Sequence, residues 1–64
     1  MNKFSEHFAF ILNTFGILAV DEETESVLFV AENEVCCEIS GQEFLCSSKE
    51  EFHDLVEMFG EKIH

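Results

Sequence analysis

Fourteen carboxylates, three histidines and three cysteines are the reactive or charge-bearing groups of this 64-residue chain, set against three lysines. The carboxylates are most regularly spaced in the C-terminal stretch KEEFHDLVEMFGEKIH. Read as a helix, this stretch puts Glu50, Asp54, Glu57 and Glu61 on one side and Phe52, Leu55, Val56 and Phe59 on the other. Successive acids in that row are about 4.5 to 6 Å apart along a helix axis. Each like-charged neighbour pair costs about 0.2–0.5 kcal/mol. Glu57 and Glu61 also lie toward the end of the helix dipole that repels anions. Solvated helix faces usually interleave lysines, whereas here Lys49 and Lys62 stand at the margins. A row of this kind suits the recognition of cations on a basic protein surface. Its interval resembles that between phosphates along a nucleic-acid strand, which raises nucleic-acid mimicry.

Other chemistries fit less well. Cys36 and Cys37 are adjacent, so in a strand they point to opposite faces and do not share one metal. With no C-x-x-C and no paired histidine spacing, no metal or cofactor site is expected, and the cysteines read as small buried hydrophobes. The DEETE run (Asp21, Glu22, Glu23, Glu25) lacks the alternating ligands, central glycine and closing glutamate of an EF-hand loop. No motif joins His7, His53 or His64 to a nucleophile, and no glycine-rich loop could hold phosphate. A non-enzymatic protein is expected.

Composition sets the partner class. The net charge is -11, and no lysine or arginine occurs from Phe4 to Ser48. Such a body repels nucleic acid and anionic membrane alike, which leaves a basic protein surface as its natural partner. An odd cysteine count fits a reducing compartment, and no apolar run approaches a bilayer span. A cytoplasmic location is therefore expected, in the host cytoplasm if the chain is phage-encoded.

The elements that must position these groups follow from periodicity. Residues 3–15 read as a helix carrying Phe4, Phe8, Ile11, Leu12 and Phe15 on one stripe, with Gly16 as its cap. GILAV reads as a strand, and SVLFVA, EVCCEIS and QEFLCS as three more, joined through the tight turns Glu32-Asn33 and Ser40-Gly41. Register then pairs Val30 with Val35, Leu28 with Cys37, Cys37 with Phe44 and Val35 with Cys46. Ser48 and Glu51 form a capping box for the last helix, whose main run ends at Phe59-Gly60. The expected fold is one α+β domain over residues 1–64, α-β-β-β-β-α, with an antiparallel meander and both helices on one side of it.

Two functions follow. In the first, the acids at Glu50, Asp54, Glu57 and Glu61, with Glu34, Glu38 and Glu43 on the sheet, occupy the basic groove of a nucleic-acid-binding protein. The chain then acts as a stoichiometric inhibitor or decoy, as small proteins of phages and mobile elements do. In the second, an apolar sheet face of Val27, Phe29, Cys36 and Leu45, rimmed by carboxylates, serves homodimerisation or an adaptor or chaperone role. An amphipathic N-terminal helix ending in Phe15-Gly16, followed by acid-rich hairpins, resembles the start of type III secretion chaperones over residues 4–46. That resemblance implies assembly through the sheet and carries no site residues with it.

Overall fold

Ser5 starts the first helix by accepting the Phe8 N–H on its hydroxyl at 3.2 Å, in the manner of an N-cap. The structure, a computed structural model, describes residues 4–63, with side-chain surroundings described through residue 60. Helix α1 spans Glu6–Thr14, strands β1 to β4 span Gly16–Asp21, Ser26–Ala31, Glu34–Ile39 and Gln42–Phe44, and helix α2 spans Lys49–Ile63. The α-β-β-β-β-α order and the antiparallel meander β1-β2-β3-β4 are as the sequence leads one to expect.

The two tight turns fix the register. Glu32 and Asn33 (φ 52° and 66°) and Ser40 and Gly41 (φ 53° and 86°) are all left-handed, the backbone that primed hairpin turns require. Val30 thus faces Val35, Leu28 faces Cys37, Cys37 faces Phe44 and Glu38 faces Glu43. The expected Val35–Cys46 pair does not form, because β4 ends at Phe44 and the chain then leaves the ladder for α2.

The helices do not share one side of the sheet as expected. Phe8 and Ile11 of α1 pack with Val27 and Phe29, while Phe52 of α2 packs with Leu28, Cys37, Ile39 and Cys46. Adjacent residues of β2 alternate between these two clusters, so the architecture is three-layered. The reason lies in β2 itself. Ser26, Val27, Leu28 and Phe29 are all buried in succession, as happens in a strand covered on both faces.

Both helix ends also differ from expectation. Phe15 is extended (φ -112°, ψ 165°) and Gly16 opens β1 opposite Val30, so strand pairing takes the residue expected as a left-handed cap. Helix α2 continues through Gly60 to Ile63. A glycine inside a helix costs about 1 kcal/mol relative to alanine. The turn before it is anchored by Phe59, whose ring meets that of Phe44 edge-on at 5.3 Å.

The loop between β1 and β2 is held by side chains. Thr24 donates its hydroxyl to Asp21 Oδ2 at 2.7 Å. Its one proton being so used, the 2.6 Å contact to Ser26 has the Ser26 hydroxyl as donor. That satisfies a serine with no solvent exposure.

Candidate functional site

Helix α2 turns Phe52, Leu55, Val56 and Phe59 to the sheet, which forces Glu50, Asp54 and Glu57 outward, where all three are exposed. Glu61 lies beyond the residues whose side chains are described. Lys49 forms no ion pair among the described residues. The start of α2 is fixed locally, with the Glu51 N–H donating to Ser48 Oγ at 3.2 Å. The Glu51 carboxylate reaches one residue further back than a capping box requires, accepting from the Ser47 N–H at 2.9 Å and its hydroxyl at 3.1 Å. The backbone bond from Ser47, then its hydroxyl, holds the Glu51 carboxyl below its ordinary value.

The second acidic group stands on the opposite side of the sheet. Glu38 pairs across the ladder with Val27, on the α1 face, and Glu43 faces Glu38. Glu34 and Glu43 are exposed, while Glu38 is 8% exposed and contacts His7 Nε2 of α1 at 2.5 Å. The sheet therefore divides the expected acidic residues into two surfaces. Periodicity puts His7 within the first helix, but nothing in spacing indicates that it meets a strand carboxylate. Beside this pair, a cleft of about 500 Å³ opens between α1 and the loops at Thr24 and Gly41.

The expected apolar surface is largely covered. Val27 and Phe29 are 0% and 4% exposed beneath α1, and Cys36 is half-buried at the edge of their cluster. Leu45 is 99% exposed, just past the end of β4. These four residues do not form one exposed patch, because the helix expected on the other face sits over the first two.

A grouping the spacing does not reveal lies at the far edge. Val20 and Asp21 at the end of β1, Glu23 of the loop, and His53 and Glu57 of α2 line one cleft of about 430 Å³. Glu57 thereby joins the α2 row to the DEETE carboxylates. Among the described residues, no three histidine, cysteine or acidic side chains are placed to hold a metal ion. No helix among them is long and apolar enough to cross a membrane. Comparison of the chain with protein-family models, with curated proteins and with solved structures finds no match in any of the three.

Proposed function

We propose that this protein is a non-enzymatic acidic binder that occupies a basic surface of a nucleic-acid-binding protein, acting as a stoichiometric inhibitor or decoy. The observation that carries this reading is the exposed row Glu50, Asp54 and Glu57 on α2, which has no ion-pair partner among the described residues. Folding alone would favour interleaved lysines there, since like-charged neighbours on a helix repel. Burial of Val27 and Phe29 weighs against the adaptor reading, which needs them in contact with a partner.

The test is affinity capture from lysate at low salt, followed by stepwise elution. A nucleic-acid-binding protein released at moderate salt is expected, since opposite charges in contact are screened as ionic strength rises. Its capture should be lost with Glu50→Gln, Asp54→Asn and Glu57→Gln combined, in a domain no less stable than wild type. Unchanged capture by that variant would refute the reading.

A further inference from the structure

Strand β1 is an edge of the meander, and register decides which of its backbone groups face outward. The tight turn at Glu32-Asn33 makes Ala31 and Glu34 a hydrogen-bonded pair, so Phe29 and Val27 also bond toward β3. The Ser40 N–H on the Glu25 carbonyl at 3.4 Å keeps the same phase. Val30, Leu28 and Ser26 then bond toward β1, where they oppose Gly16, Ala19 and Asp21. Val20, between the last two, directs its N–H and C=O away from the sheet. Leu18 occupies a bulge between Ile17 and Ala19. Both Leu18 and Val20 are 41% exposed.

Natural edge strands are blunted by charges, proline or bulges; β1 has the bulge at Leu18 and a carboxylate at its last residue, Asp21, but no proline and no lysine. Beyond the bulge, Ala19 to Asp21 keep a regular edge. The acidic cleft of Asp21, Glu23 and Glu57 adjoins that end of the strand.

We propose that the outer edge of β1 receives an extended basic segment of the partner as an added strand. Its apolar side chains cover Leu18 and Val20, and its lysines or arginines meet Asp21, Glu23 and Glu57. This rests on the acidic-surface reading and adds the mode of engagement. Charge complementarity selects the occupant, since a second copy of this chain would bring a further net charge of -11 to the same edge.

The probe is a short synthetic peptide alternating valine with lysine, titrated at low salt into the ¹⁵N-labelled protein. Two controls carry N-methyl groups, one on the amides that would face β1 and one on the alternate amides. The unmodified peptide and the second control should shift the amides of Ala19, Val20 and Asp21 most and slow exchange at Val20. The first control should bind about tenfold more weakly, for want of its strand hydrogen bonds. Equal binding of the two controls, or shifts confined to the outward row of α2, overturns strand addition and leaves the acidic-surface reading standing. Absence of binding overturns the proposal. So does a peptide-free protein that sediments as a dimer with Val20 already protected, which would assign the edge to a second copy.

Discussion

The Ser5 hydroxyl donates to Glu25 Oε1 at 2.8 Å, and the Ser5 backbone N–H points at the same oxygen from 3.4 Å. Residues 20 apart in sequence are thus joined: the N-cap of α1 is fastened to the loop between β1 and β2. The carboxylate also sits at the positive end of the helix dipole.

Glu25→Ala should therefore lower stability by about 1 kcal/mol, the usual net scale of a lost hydrogen bond, while the Ser5–Phe8 cap itself stays. Glu25→Gln, which keeps the acceptor oxygen, should lose less. Urea unfolding followed by circular dichroism checks this. Equal midpoints for wild type and Glu25→Ala would show that the fastening contributes nothing.

Glu51 gives a pH signature. Its carboxyl is held below the ordinary 4.5 by the Ser47 N–H and hydroxyl. A depressed folded-state value means that the stabilisation is present above the unfolded-state value and disappears as pH falls through the folded one. The stability advantage of wild type over Glu51→Gln should thus hold at neutral pH and shrink below pH 4.5. A side-chain NMR titration, paired with unfolding at several pH values, measures both. A Glu51 midpoint at the ordinary value would contradict the geometry.

The cysteines should separate by reactivity. Burial, with Cys46 beside it, pushes the Cys37 thiol up to about 12, so it remains protonated at neutral pH. Cys37 and Cys46 are both buried and Cys36 is partly exposed. Iodoacetamide at neutral pH should label Cys36 first, reaching Cys37 and Cys46 only through the small unfolded fraction. Peptide mapping by mass spectrometry reads the order. The raised value also means that stability falls as pH rises above 9.0, because the unfolded thiol ionises first.

Short-range rules placed most of the fold. Two-residue turns at Glu32-Asn33 and Ser40-Gly41 set the register of three strands, because side chains alternate with a period of two and the turn fixes the phase. Layering was harder to read, although SVLFVA carried the clue: an unbroken apolar run needs cover on both faces, and a one-sided sheet alternates. The local rules misjudged Gly16 and Gly60, where strand pairing and the Phe44–Phe59 contact outweigh a glycine's preference for ending helices. The α2 acids were legible from their spacing of three and four residues. That Glu57 shares a cleft with Asp21 and Glu23 is not legible there, since it depends on where α2 lies across the sheet.

Turn chemistry allows an improvement. Glu32 is left-handed at φ 52°, a conformation that costs an ordinary side chain about 1–2 kcal/mol. Asparagine visits that region more readily, so Glu32→Asn should raise the urea midpoint, by a few tenths to about 1 kcal/mol in free energy. A fall in the midpoint would mean that Glu32 makes a compensating contribution in the folded state.

The Glu38–Glu43 pair can separate folding from function within one substitution. The two carboxylates face each other across β3 and β4, an arrangement that opposes pairing. His7 already engages Glu38, which moderates the repulsion without removing Glu43 from its place opposite. Glu43→Lys turns the repulsive pair into an attractive one and should stabilise the domain by about 0.2–1 kcal/mol, toward the lower end because Glu38 is already engaged. If the α1-side acids also meet the basic partner, the same substitution places a cation against cations and should weaken capture from lysate. Greater stability with weaker capture would mean that Glu43 is kept for binding at a cost to the fold. Greater stability with undiminished capture would confine the partner to the α2 side of the sheet, where Glu50, Asp54 and Glu57 stand.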